Sequence, residues 1–322
     1  MIYWVVSVVI LVMIASVKIY NFFEGETLLR DFFWEVRLRH LSLHELDRRA
    51  VKNPECSSAV VSLTSLPSRL PAIENTLKSL LNQTRPPQRI LLNLPHHSRR
   101  EGCDLEVPKF LEHLETVEVV RCKDWGPATK LLPSLERLPK DQMIVVVDDD
   151  RIYHANLIED LERATTLYPD RAWCYSGWVV PKDLTDRPTT ILGNLLKRPP
   201  FPVRARRLQQ PYPVDIFQGM SGFAVKPSFF PNIKDATDYS KAPEAAFFVD
   251  DVWLSAHCQA DRWVLPARRT NFQPWAHKGL YRQTSLGRIN RGGGDVEKRN
   301  NTIMIRHFAD RWRTASDVEK QC

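Results

Sequence analysis

The chain of 322 residues is 43% hydrophobic and 26% charged, with a formal net charge of +7 and a pI near 9.1. Aliphatic and aromatic residues run throughout, which excludes a globally disordered chain, and the length suits one large domain or two small ones. The basic balance fits nucleic acid, an anionic membrane or an anionic small substrate such as a nucleotide diphosphate, and does not choose among them.

The chain opens on Ile2 to Val17 (IYWVVSVVILVMIASV), 16 residues without a charge. At about 1.5 Å per residue this run spans roughly 24 Å, slightly short for a bilayer. Lys18 can snorkel, and Ile19 to Phe23 then lengthen the apolar stretch. No Lys or Arg precedes the run and Ala15-Ser16-Val17 is a poor cleavage site, so an uncleaved anchor over residues 1–23 is expected rather than a signal peptide. Lys18, Arg30, Arg37, Arg39, Arg48 and Arg49 all follow it, which places the main domain in the cytoplasm by the positive-inside rule. Residues 24–55 form a stem, in which Glu26 to Val51 carries Leu, Phe, Trp and Arg at near-helical spacing. That pattern fits a juxtamembrane helix on the lipid surface or a helix packed on the domain.

From Ser58 short apolar runs alternate with amphipathic stretches. Strands are expected at Ser58–Leu63, Arg89–Leu94, Thr116–Val120 and Met143–Val147, with a helix over Leu70–Leu81. Such alternation means a mostly parallel sheet with helices on both faces, and ligands on such sheets bind at the carboxyl ends of the strands. Arg187 to Pro213 is proline-rich and basic and reads as a loop. Thr302 to Trp312 fits a short helix in a basic tail. Six scattered cysteines with no CxxC pair argue against structural zinc and leave disulfides open.

The fourth strand ends abruptly in Asp148-Asp149-Asp150. Three carboxylates on one turn repel each other, and a hard divalent cation such as Mn²⁺ or Mg²⁺ relieves that repulsion through oxygen ligands. The bland reading is a solvated, helix-capping turn. In haloacid-dehalogenase-type phosphatases Asp148 would be nucleophile and Asp150 acid. That motif wants Thr or Val where this chain has Ile152, and it usually opens the domain, whereas roughly ninety residues of α/β chain precede it here.

Four segments in order decide the reading. VVSLTSLPSRLPAIENTLKSLLNQTRPPQRILLNLP (Val60–Pro95) resembles the opening of family 2-like glycosyltransferases, and KDWGPATKLLPSLE (Lys123–Glu136) a later segment of that superfamily. DIFQGMSGFAVKPSFF (Asp215–Phe230) resembles the glycine loop beneath the acceptor. FFVDDVWLSAHC (Phe247–Cys258) resembles its Glu-Asp element, with Asp250 at the Glu place and Asp251 at the Asp place. The resemblance spans about Ser58 to Tyr281.

What it implies is a GT-A (Rossmann-like) domain over 56–285, between the anchor and a basic tail of 286–322. The donor, a nucleotide-diphospho-sugar, would meet Thr64, Ser65, Arg69, Asp124, Lys130, Asp148 and Asp149; a lysine there partly neutralises the departing diphosphate. The metal, Mn²⁺ or Mg²⁺, would lie on Asp148 and Asp150, with His277 of QPWAHKGL as a third ligand or, equally, a core histidine. The acceptor, a glycan, lipid or protein, would lie on Gly219, Ser221, Gly222 and Trp253, although Trp253 also suits a core. Asp251 would be the general base, Asp250 its neighbour in the catalytic pair, and one base implies inversion. Many eukaryotic relatives work in the Golgi lumen, against the charge rule. The alternatives are the phosphatase and a non-catalytic membrane-tethered sugar-binding protein. Nucleic acid is not expected, because the basic residues cluster in the proline segment and the tail without a recognised module.

Overall fold

The computed structural model describes residues 2–24, 27–188, 190, 196 and 202–313. Its first helix, α1 (Ile2–Glu24), contains Tyr3–Asn21, 19 residues with a mean hydropathy of 2.1 and no part buried against the rest of the chain; by length and composition it can cross a membrane. Two short helices follow, α2 (Leu28–Arg39) and α3 (Leu43–Val51). Leu43, Leu46 and Ala50 of α3 enter the main core. The Asp47 carboxylate accepts from the backbone of Glu115 (2.7 Å) and Thr116 (3.0 Å). Leu38 of α2 packs with Ile152 and Phe272. The expected stem is therefore folded onto the domain through its apolar face.

The central sheet has eight strands: β1 (Ser57–Thr64), β2 (Pro87–Pro95), β3 (Val117–Cys122), β4 (Ile144–Val146), β5 (Arg171–Cys174), β6 (Tyr212–Val214), β7 (Phe223–Val225) and β8 (Asp261–Val264). Their order is β6-β8-β5-β7-β4-β1-β2-β3. All run the same way except β6 and β7, which are antiparallel to their neighbours. β1, β2 and β4 are buried along almost their whole length, as strands covered on both faces must be. Helices α4 (Glu74–Leu81), α5 (Leu132–Arg137), α6 (Leu157–Leu167), α7 (Asp250–His257) and α8 (Asn300–His307) pack around the sheet.

One expectation is corrected. The proline-rich segment is not all loop: Pro202–Arg204 pairs with Ser176–Trp178, and β6 pairs with β8, while 189, 191–195 and 197–201 lie outside the described residues. Met304 and Ile305 of α8, in the stretch expected as a tail, are fully buried in the main core. The five described cysteines are free.

Topology prepares one edge for chemistry. The parallel strands β1, β2 and β4 deliver their carboxyl ends side by side. β7 runs against β4 with Phe223 opposite Val146, so the loop that enters β7 (Gly219–Gly222) lands beside the turn that leaves β4.

Candidate functional site

The turn after β4 is held from behind by its backbone. Asp148 N donates to the Tyr153 hydroxyl (2.9 Å), and the Thr76 hydroxyl donates to Asp149 O (2.7 Å). Burial, then Asp148, push the Tyr153 phenol far up, so it stays neutral. Asp149 points inward and is 7% exposed. It accepts from the Ser65 hydroxyl (2.5 Å) and Arg69 Nη1 (3.0 Å). Burial raises its carboxyl to about 6 against the pull of Arg69. Arg69 Nη1 and Arg151 Nε each lie 3.5 Å from Asp150.

Lys130 is the centre of the site. It is 4% exposed, and its Nζ donates to Asp148 Oδ1 at 2.7 Å and lies 2.6 Å from Asp250 Oδ2. The second contact is an ion pair without hydrogen-bond geometry, since Asp250 Oδ2 has no hydrogen-bond partner. Burial alone would lower the lysine, but Asp148 and Asp250 outweigh it and hold the ammonium well above its ordinary range. Its backbone is equally fixed: Lys130 O accepts from the Ser62 hydroxyl (2.5 Å), and Asn93 Nδ2 donates to the hydroxyls of Ser62 (3.0 Å) and Ser134 (3.1 Å).

Asp250 and Asp251 begin α7, where unpaired helix N–H groups favour negative charge. Asp251 Oδ1 accepts from Gly219 N at 2.9 Å. Its other oxygen has no protein hydrogen bond among the described residues, and the side chain lines the cavity. Burial, then Asp250, raise it to about 8, with Lys130 opposing. Gly219 is required by space: a Cβ there would overlap Lys130 Nζ and sit 3.0 Å from Asp148 Oδ1.

These groups surround a cavity of about 420 Å³. Thr64, Ser65, Arg69, Asp124 and Lys130 line it, as do all three aspartates of the turn and both of α7. Asp124 also shapes its own loop, accepting from Gly126 N (2.7 Å) and Arg99 N (2.8 Å). Of the expected acceptor residues, only Gly219 adjoins these groups. Ser221 faces a separate small cavity. Gly222 takes a positive φ of 88°, and a Cβ there would meet Leu157 and Tyr153. Trp253 is a core residue, 3% exposed, with its indole donating to Ala236 O (2.8 Å) and its ring 4.4 Å from Tyr239.

No protein-family model matches the chain, and no curated protein matches it. Three solved structures resemble it at low identity. A structure of GalNAc-T7 with UDP, GalNAc and Mn²⁺ is 14% identical over 65% of this chain and 42% of that one, with a TM-score of 0.41. The 2-C-methyl-D-erythritol 4-phosphate cytidylyltransferase of Francisella tularensis is 12% identical over 71% and 98%, with a TM-score of 0.40. Residues 1–349 of S. aureus TarS are 11% identical over 79% and 71%, with a TM-score of 0.43. This chain spans under half the length of the first. Likenesses this distant carry no argument about activity.

The donor set itself tests the expected metal. Four carboxylates (Asp148–Asp150 and Asp250) face three cations (Lys130, Arg69 and Arg151) within 3.5 Å, and a dication would balance the excess. The three-residue set of Asp148, Asp150 and His277 is not assembled. No group of three or more His, Cys, Asp or Glu in a metal-holding arrangement occurs among the described residues, and His277 lies off the cavity with its ring 6.1 Å from Tyr281. Asp148 and Asp150 keep side-chain exposures of 28% and 16%. Two carboxylates suit Mg²⁺ or Mn²⁺, which draw their remaining ligands from water and phosphate.

Sequence reasoning missed one wall. Leu286, Gly287, Asn290 and Asn301 line the cavity, held by two guanidiniums. Arg69 donates to the Thr284 hydroxyl (2.7 Å) and Thr284 O (3.0 Å), and Arg100 donates to the same carbonyl. Arg100 had a legible signal, a cation just past the carboxyl end of β2.

Proposed function

We propose that this protein is a membrane-anchored glycosyltransferase of the GT-A fold that moves a sugar from a nucleotide-diphosphate donor to an acceptor hydroxyl. One observation carries the reading. A single lysine lies within 2.7 Å of both an Asp-x-Asp turn and a second acidic pair, and the neighbouring Asp251 keeps an unbonded oxygen toward the same cavity. In this reading Thr64, Ser65, Asp124 and Arg100 receive the nucleotide and its diphosphate. Asp148 and Asp150 are the residues to hold Mn²⁺ or Mg²⁺, which when bound neutralises charge on the leaving diphosphate. Lys130 holds Asp148 and Asp250 in register. The free oxygen of Asp251 takes the acceptor proton as the hydroxyl oxygen bonds to the anomeric carbon and the bond to the diphosphate breaks. One base on one face supports inversion. Helix α1 serves as the anchor.

The test is a thermal-shift screen of the full-length protein in detergent with UDP-, GDP- and TDP-sugars, with and without Mn²⁺. One donor at 100 times its dissociation constant should stabilise by about 2.7 kcal/mol, and Asp150→Ala should remove the Mn²⁺ requirement. Equal shifts without the metal would overturn its assignment. Phosphate release from a generic phosphoester, with no donor shift, would favour the phosphatase instead.

A further inference from the structure

A second concavity, about 1010 Å³ in volume, shares no lining residue with the donor cavity. Its walls come from α2, α6, β5 and the segment after β8. The floor is apolar: Trp34 and Trp173 lie beside Leu167 and Tyr168, which are 68% and 48% exposed. The indole N–H groups of Trp34 and Trp173 have no hydrogen-bond partner.

The rim is cationic. The one acid among its described lining residues, Asp160, is held by Arg163. Arg30, Arg37, Arg268 and Arg269 are exposed, and among the described residues none has a carboxylate partner. Unpaired guanidiniums above an apolar floor are complementary to a molecule with an anionic head and a hydrocarbon tail. A nucleic acid would match the charge but not the floor.

Position supplies the source. The backbone of Leu28, which opens α2, donates to Asn21 Oδ1 of α1 (2.9 Å), and Arg206 donates to Asn21 O (3.3 Å). The groove thus begins at Arg30 in the first turn of α2, which is tied to the end of the apolar helix. On the same stretch Leu29 and Phe33 are 61% and 68% exposed, as on a helix that lies in a membrane interface.

We propose that this groove binds an anionic phospholipid of the bilayer. Its phosphate lies on Arg30, Arg37, Arg268 and Arg269, and one acyl chain lies along Trp34, Leu167 and Trp173. The source, though not the ligand chemistry, rests on reading α1 as a membrane span.

The test uses the full-length protein in neutral detergent, titrated with dioctanoyl-phosphatidylglycerol, dioctanoyl-phosphatidylcholine or inorganic phosphate, with tryptophan fluorescence as the readout. Phosphatidylglycerol should bind saturably and at least tenfold tighter than phosphatidylcholine, and millimolar phosphate should give no change. Arg268→Glu with Arg269→Glu should weaken it by on the order of tenfold or more and leave the donor thermal shift intact, which reports folding. Arg268→Ala with Arg269→Ala repeats the test without charge reversal. Equal binding of the two lipids, an equal response to inorganic phosphate, or no loss in either double variant would each overturn the proposal. Saturable phosphatidylglycerol binding by a wild-type protein that shows no donor shift would count against the transferase reading and leave this one standing.

Discussion

The two concave surfaces of this molecule use cations in opposite ways. In the cavity at the strand ends Lys130 is shared by Asp148 and Asp250, and Arg69 by Asp149, Asp150 and Thr284. These cations set where carboxylates lie. In the second groove four of five arginines have no acid beside them among the described residues, and they are available to a ligand. Buried charge without a partner is costly, whereas exposed guanidinium is well hydrated. Pairing therefore separates a charge that builds a site from one that waits for an occupant.

The largest effect expected inside the cavity is on rate. Asp251→Asn keeps size and removes the basic lone pair, so transfer should fall by on the order of 10² to 10⁴ while calorimetric donor affinity holds. Asp250→Asn should be milder in transfer; if it is the deader variant, the roles of the two aspartates are exchanged. Stability comes next. Lys130→Met leaves two acids facing each other and should cost about 3–5 kcal/mol in denaturant unfolding, whereas Arg268→Met should stay within about 0.5 kcal/mol. Equal costs would erase the distinction between the two surfaces.

The smallest effect is on pH dependence. Asp149 and Asp251 are raised from 3.8 to about 6 and about 8, chiefly by burial. The native protein keeps protons that the unfolded chain has already released. Their stabilising contribution is therefore complete below the unfolded value near 3.8 and is lost as pH rises through 6 and 8. Metal-free Asp251→Asn should accordingly lose less melting temperature than wild type between pH 5 and 8.5 (about the span of these shifts). Superimposable curves would show that Asp251 ionises as freely in the fold as outside it.

The legible parts of the sequence were those where local pattern and tertiary setting agree. Ser58–Leu63, Arg89–Leu94 and Met143–Val147 read as strands because both faces are buried, and the structure places strands at Ser57–Thr64, Pro87–Pro95 and Ile144–Val146. The acid triplet stood out because charge follows apolar β-branched residues without transition. The far half of the sheet was hidden: β5 to β8 are three or four residues long, and β5 and β8 carry Trp and Arg. The cavity wall from 285 to 301 read as a basic tail because long-range bonds hold it, such as Asn290 Nδ2 to Phe248 O (3.0 Å) and Arg299 Nε to Asp186 (2.7 Å). Trp253 and His277 show that residue type marks a candidate without fixing which way its side chain faces.

The attachment at Thr284 has an evolutionary consequence. The oxygen that receives both Arg69 and Arg100 belongs to the main chain, so every residue type at 284 presents it. Mutation can rewrite the neighbouring side chains, Ser285 through Ile289, without removing either of these bonds. The side chains that face the cavity from this wall can therefore change while the two arginines keep the wall in place.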